Sequence, residues 1–174
     1  MKLFSKIILI FLFVFSFISA SPKKIKAPDF ELFDLNKNII RLSDKKFDNH
    51  IIILNFWATW CPPCRMEIPG FVKFYKEYQN KKVVLLGICL DVDDVLRIKK
   101  FVKEYKINYP ILIGTRKVVG DYGGIPAIPT TFILNHERNI VYRYIGAISD
   151  EDLKLIIDKL IELRDSKNSE KVKE

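Results

Sequence analysis

An apolar run that ends directly in a Cys-x-x-Cys motif constrains this sequence more than any other feature. Residues 51–56 are β-branched or large, apart from Asn55, and this composition favours a strand covered on both faces. Cys61 and Cys64 follow after a short link, and their spacing allows both sulfurs to occupy the first turn of one helix. There they can join as a disulfide or separate as a dithiol. The pattern predicts a redox site at the end of a central strand.

The start of that helix favours Cys61 as the attacking thiol. Unpaired backbone N–H groups and the positive end of the helix dipole stabilise an anion there, so its thiolate should form more readily than that of an ordinary cysteine. Pro62 suits the first helical position, which needs no N–H donor. Cys64 lies one turn further in and is expected to be more buried. We therefore expect Cys64 to resolve the mixed disulfide that Cys61 forms.

The residues around the motif resemble the thioredoxin superfamily, and within it the TlpA/ResA-like thiol-disulfide oxidoreductases of bacterial envelopes. Pro69 matches a proline inside the active-site helix of that superfamily, and residues 128–130 match its cis-proline loop. Residues 27–30 and 39–43 resemble the N-terminal hairpin of the TlpA/ResA branch. The resemblance covers residues 28–163. It implies an α/β thioredoxin fold with an N-terminal β-hairpin, a central α/β insertion, and a mixed sheet flanked by helices.

The resemblance also implies which residues contact a substrate. Substrate contacts are expected from five residues near the cysteines: Trp60, Pro62, Pro63, Ile128 and Pro129. The Ile128–Pro129 bond is expected to be cis and the bond before Pro126 trans. Ile128 would then present its backbone groups beside Cys61, where an extended peptide can pair with them as an added strand.

Glu67 is a third candidate catalytic residue, after Cys61 and Cys64. It follows Cys64 by three residues, so its side chain shares the helix face that carries the thiols. A carboxylate there can relay the proton that Cys64 must lose. The TlpA/ResA branch commonly has this glutamate, together with asparagine at the position of Asn55. The alternative is an exposed first-turn glutamate that interacts with the helix dipole.

The remaining periodicity predicts alternating strands and helices. The expected elements are a hairpin of residues 30–35 and 39–42, a strand at 83–90, a helix after Asp94, a strand at 109–113, a short helix at 116–122, a second hairpin of residues 130–134 and 140–145, and a helix capped by Ser149 that ends near Leu163. Because the strand after the redox motif returns through a helix, the two strands should be parallel.

The N-terminus has the pattern of an export signal. Lys2 and Lys6 precede an apolar run, and Ser19 and Ala20 offer a cleavage site. We expect residues 1–20 to be a signal peptide or, alternatively, a membrane anchor through residues 7–20, and the protein to be extracytoplasmic. Residues 27–163 then form a single thioredoxin-like domain that is expected to be monomeric, followed by a charged and disordered tail at residues 164–174.

Charge and cysteine content exclude several function classes. The chain of 174 residues has a formal net charge of +8, but its lysines are scattered and no basic block is interleaved with aromatic residues, so nucleic-acid binding is not expected. His50 and His136 have no metal-ligand spacing with the cysteine pair, so no metal is expected. The third cysteine, Cys89, lies in an apolar run and is interpreted as a structural residue, with a third redox thiol as the alternative.

These features favour an exported enzyme that reduces disulfides in envelope proteins. The TlpA/ResA resemblance implies apocytochrome c as a substrate, with electrons from a membrane thiol-disulfide transporter and no bound cofactor. One alternative has the same chemistry with the opposite direction of electron flow, namely an oxidant or general disulfide-exchange enzyme. A more remote alternative is a binding module of the same fold without turnover.

Overall fold

The computed structural model describes residues 24–91 and 93–171, which form eight strands and four α-helices. The strands are β1 (Ile25–Lys26), β2 (Glu31–Phe33), β3 (Ile39–Arg41), β4 (Ile51–Trp57), β5 (Val83–Cys89), β6 (Ile111–Ile113), β7 (Thr130–Leu134) and β8 (Asn139–Ile145). The α-helices are α1 (Pro62–Tyr78), α2 (Val95–Glu104), α3 (Arg116–Asp121) and α4 (Asp150–Lys171). Two single turns of 3-10 helix lie at Lys45–Phe47 and Gln79–Lys81.

Six of these strands form a mixed sheet with the order β1-β8-β7-β4-β5-β6. β4 lies inside the sheet, parallel to β5 and antiparallel to β7, and every one of its residues is buried. A strand with sheet neighbours on both sides and helices on both faces needs apolar side chains in both directions, which explains the continuous apolar run. The predicted parallel pairing of β4 with β5 through a helix is confirmed.

The hairpin predicted near the N-terminus is formed by β2 and β3, which make a separate two-stranded sheet. The Asp34 carboxylate closes its turn by accepting hydrogen bonds from the backbone N–H groups of Asn36 and Asn38, both at 2.8 Å. The predicted strand at 109–113 is shorter in the structure, because regular pairing with β5 begins only at Ile111.

Apolar side chains fill both faces of the six-stranded sheet. On one face, α1 and α4 cover β4 through a cluster that includes Ile53, Phe71 and Leu153. On the other face, the hairpin and α3 pack against a second cluster around Phe56 and Phe132. The redox motif therefore starts from a strand that is fixed on both faces and on both edges.

The structure corrects the prediction of a disordered tail from residue 164, because α4 continues to Lys171. Arg164 is buried, and its Nη1 donates to the carbonyl oxygens of Lys81 and Lys82 at 3.0 and 3.2 Å. The local sequence of a charged segment does not reveal these carbonyl partners, which lie more than 80 residues away and fix the end of α4.

Residues 172–174 and the predicted leader, residues 1–20, lie outside the described part of the chain. Within that part, no helix is both long and apolar enough to cross a membrane.

Candidate active site

Cys61 and Cys64 lie at the start of α1 and are joined by a disulfide, with their Cα atoms 5.3 Å apart. Cys61 is the N-cap residue, and its sulfur accepts a hydrogen bond from the backbone N–H of Cys64 at 3.3 Å. Pro62 follows as the first helical residue, where its missing N–H costs no hydrogen bond. The helix start therefore offers a backbone donor to whatever charge develops on the Cys61 sulfur.

Cys64 was expected to be more buried than Cys61, but the two residues differ little in exposure. Cys64 is fully buried, and Cys61 is only 2% exposed. The side chains around Cys61 form an open rim, since Trp60 is 65% exposed and both Pro62 and Pro63 are exposed. A partner protein would meet these three residues before it reached the sulfur.

The loop before β7 lies against the Cys61 sulfur. The carbonyl oxygen of Ile128 is 3.5 Å from Cys61 Sγ, and the Ile128–Pro129 bond is the one cis peptide in the described chain, as predicted. The Pro129 carbonyl accepts a hydrogen bond from Gly146 N–H at 2.8 Å, which ties the loop to the end of β8. The structure thus brings Ile128 and Pro129, 67 and 68 residues further along the chain, next to Cys61.

Glu67 is buried, with 7% of its surface exposed, which excludes the alternative of an exposed first-turn glutamate. Its Oε1 accepts from the Asn55 side-chain amide at 2.8 Å, and its Oε2 accepts from the backbone N–H of Ile148 at 3.2 Å. The same Asn55 amide also donates to Thr131 Oγ1 at 3.0 Å. Burial raises the pKa of the Glu67 carboxyl to about 7, although both hydrogen bonds act in the opposite direction. Glu67 can therefore gain or lose a proton near neutral pH.

Asp91 is a residue of the site that the sequence did not reveal. It follows β5 and is 5% exposed, and its Oδ2 accepts from the backbone N–H of Thr59 at 2.7 Å. Arg97 on α2 lies 3.6 Å from the other carboxylate oxygen. This contact fixes the loop that connects β4 to Cys61. In the sequence, only the position of Asp91 directly after an apolar strand marks it as a candidate site residue. Its partner, Thr59, lies 32 residues earlier in the chain.

Cys89 lies at the end of β5 and is fully buried, with its sulfur 3.8 Å from Asp91 Oδ2. Burial, reinforced by the Asp91 carboxylate, raises the pKa of this thiol to about 12. At neutral pH Cys89 is therefore a neutral, inaccessible thiol, which favours the structural interpretation over a third redox thiol. Within residues 24–91 and 93–171 there is no cluster of three His, Cys, Asp or Glu side chains able to hold a metal ion.

Comparison with known proteins is consistent with this geometry. Residues 24–143 match the AhpC/TSA family. The chain is 34% identical over 136 residues to the thiol-disulfide oxidoreductase ResA of Bacillus anthracis, which covers 78% of this chain and 76% of that relative. It is 33% identical over 124 residues to ResA of Bacillus subtilis, covering 71% and 68% of the two chains.

Solved structures show the same fold. A thiol:disulfide interchange protein of the thioredoxin family from Chlorobium tepidum superposes with a TM-score of 0.74 at 27% identity, covering 82% of this chain and 99% of that one. StoA from Bacillus subtilis superposes with a TM-score of 0.62 at 30% identity, covering 74% and 95%. The thioredoxin-type α/β fold implied by the sequence motifs is thereby confirmed.

Proposed function

Because this chain belongs to the AhpC/TSA family and is a thiol-disulfide oxidoreductase, we propose that it reduces disulfides in proteins of the cell envelope. The substrate we propose is apocytochrome c, whose CxxCH thiols must be reduced before haem attachment. The observation that supports disulfide exchange is the arrangement around the Cys61–Cys64 disulfide: Cys61 is the N-cap of α1, and the Ile128 carbonyl oxygen lies 3.5 Å from Cys61 Sγ. An extended peptide that pairs with Ile128 would bring its own disulfide to Cys61.

The exchange proceeds in two balanced steps from the reduced enzyme. The Cys61 thiolate attacks one sulfur of the substrate disulfide, so a mixed disulfide forms and the other substrate sulfur leaves as a thiolate that takes up a proton. The Cys64 thiolate then attacks Cys61 Sγ, and the second substrate sulfur leaves in the same way. The substrate gains two electrons and two protons, and the enzyme ends as the Cys61–Cys64 disulfide.

In this proposal Glu67 accepts the proton that Cys64 must release before it can attack. Both residues lie on α1, one turn apart, and both are buried, so bulk water is a poor acceptor for that proton. A carboxyl with a pKa near 7 is suited to the task, because it is neither fully ionised nor fully protonated at neutral pH.

The electron supply and the location of the enzyme are further parts of the proposal. The two thiols hold the two electrons that are transferred, so no bound cofactor is required. We assign regeneration of the dithiol to a membrane thiol-disulfide transporter, and export to residues 1–20, either as a cleaved signal peptide or as an anchor through residues 7–20. The lysine and apolar pattern of those residues supports this assignment.

The reduction potential of the Cys61–Cys64 pair tests the direction of electron flow. The protein beginning at Ser21 is equilibrated with dithiothreitol or glutathione buffers, and the fraction of disulfide is measured. We expect a value near thioredoxin's, roughly −270 mV. A value near roughly −120 mV, typical of a strong oxidant, would make disulfide formation the function instead.

A trapping experiment tests the substrate and the requirement for turnover. Cys64→Ser should accumulate a mixed disulfide with an oxidised CxxCH peptide, because the resolving thiol is missing, whereas Cys61→Ser should trap none. Equal trapping by the two variants would contradict the assigned roles. If cells that carry Cys61→Ser have the same phenotype as cells with the natural protein, the function would be that of a non-catalytic binding module.

A further inference from the structure

A groove of about 320 Å³ lies beside the redox motif, between the start of α1 and the exposed side of α2. Thr59 and Trp60 form its wall nearest to Cys61, and Phe101 contributes an apolar surface. The Trp60 ring is largely exposed, so a bound chain segment could cover it. An occupant of this groove would therefore lie one residue from the attacking cysteine. We call it the cationic groove, because arginine and lysine side chains line it.

Three positively charged side chains from two helices line the groove: Arg65 from α1, and Arg97 and Lys100 from α2. Arg97 and Lys100 are three residues apart and so share one helix face. Arg65 is held in place by Tyr105, to which its Nε donates at 2.8 Å and whose ring centre lies 5.6 Å from the guanidinium carbon. That bond uses one of the five N–H donors of the guanidinium, which leaves four for a ligand.

Negative charge in the lining does not balance these cations. Glu104 is the one carboxylate that lines the cationic groove within the described residues. Asp91 lies outside the lining, but its Oδ1 is 3.6 Å from Arg97 while its Oδ2 accepts from the Thr59 N–H. It compensates the charge of Arg97, so the excess positive charge comes from Arg65 and Lys100. Lys100 forms no ion pair within residues 24–91 and 93–171. The groove therefore has excess positive charge beside an exposed aromatic ring, a combination suited to a ligand with carboxylates.

We propose that the cationic groove binds an acidic stretch of the protein whose disulfide is exchanged at Cys61, an inference that rests on the proposed function. Carboxylates next to the substrate disulfide would pair with Arg65 and Lys100, while the neighbouring chain covers Trp60. Charge of this kind raises the rate of encounter more than the strength of the final complex. An anionic membrane surface has similar chemistry, but it would cover the sulfur that the substrate must reach.

Three peptides with the same intramolecular disulfide test the proposal, flanked by four glutamates, four glutamines or four lysines. The reduced protein is mixed with each peptide, and the second-order rate constant is measured at low and at high salt. We expect the acidic peptide to react about tenfold faster than the neutral one at low salt, and the difference to shrink as salt screens the charges. The lysine peptide should be the slowest.

The double variant Arg65→Gln/Lys100→Gln should bring the rate for the acidic peptide down to that for the neutral peptide. Lys45→Gln/Lys46→Gln is the matched control, because it removes the same net charge before β4, at the opposite end of the sheet from the motif. All rates are divided by the rate with hydroxyethyl disulfide, a small neutral substrate. Arg65 directly follows Cys64, so its replacement can change the reactivity of the thiols. Dividing by the rate with the small substrate corrects for that change.

Each outcome separates this inference from the proposed function. Equal rates for the three peptides would overturn the cationic groove and leave disulfide reduction intact, whereas reduction of none of them would overturn the proposed function. An equal loss of preference in the Lys45/Lys46 control would assign the effect to net charge and overturn the groove. Unchanged peptide preference in the Arg65/Lys100 variant, with lost binding to vesicles of anionic lipid, would assign the groove to a membrane surface instead.

Discussion

At the scale of a residue, Glu67 couples protonation to stability. Its carboxyl has a pKa of about 7 in the folded chain, against an ordinary value of 4.5. Between these values the folded protein holds a proton that the unfolded chain releases, so the free energy of unfolding falls as pH rises through this window. The total loss is about 3 kcal/mol, complete above pH 7. Glu67→Gln should lack this loss, as urea denaturation at pH 4.5, 6 and 8 would reveal.

The matched control for this prediction is Glu151→Gln, which removes an exposed carboxylate from the first turn of α4. That variant should keep the pH dependence of the natural protein. If Glu67→Gln loses stability between pH 4.5 and 8 as steeply as the natural protein does, another group is responsible and the protonation assigned to Glu67 is wrong.

At the scale of an element, the end of α4 has a measurable role. Removing residues 164–174 should lower the free energy of unfolding by about 1–3 kcal/mol, because the carbonyls of Lys81 and Lys82 lose the buried Arg164 guanidinium. Removing only residues 172–174 is the control and should change nothing measurable. Denaturation of the two shortened chains in urea gives the comparison. Equal stability would show that the last turns of α4 contribute nothing to the fold.

The strands and helices also show which parts of the fold can be predicted from the sequence. β4, β5 and α1 were predictable because their signals are local: an unbroken apolar run, a proline after the N-cap cysteine, and a stripe of buried residues at helical spacing. The strand that starts at Thr130 favours Pro129 over Pro126 as the cis residue, but the cis conformation itself is implied only by the family resemblance. The prediction of a disordered tail from residue 164 is wrong because the partners of Arg164 lie more than 80 residues away.

The site shows the same division between local and distant contacts. The cysteine pair and the position of Glu67 on the same helix face follow from spacing within one helix. The contact of Asp91 with Thr59, and that of Glu67 with the Ile148 N–H, join segments whose proximity depends on the order of the strands. Periodicity gives the face on which a residue lies, but it does not identify the residue on the opposite element.

At the scale of the whole molecule, Cys89 can report on global unfolding. It is fully buried in the sheet, and its thiol pKa is raised to about 12, so neither access nor thiolate is available in the native state. In a Cys61→Ser/Cys64→Ser background, Cys89 should react with an aromatic disulfide reagent only through unfolding. The labelling rate should rise with urea in parallel with the unfolding constant. Fast labelling without urea would restore Cys89 as a candidate redox thiol.

The position of β1 determines where the thiols lie relative to the N-terminal end of the described chain. Ile25 pairs with Ile140 at the start of β8, whereas Ile145 at the end of β8 is level with Thr130 and hence with Phe56, beside the redox motif. The five residue steps from Ile140 to Ile145 span roughly 17 Å, and the three strand spacings from β1 to β4 add roughly 14 Å sideways. If residues 7–20 anchor the protein, as proposed, the attachment would enter the described chain about 22 Å from the redox motif, so a partner protein could reach the thiols without displacing it.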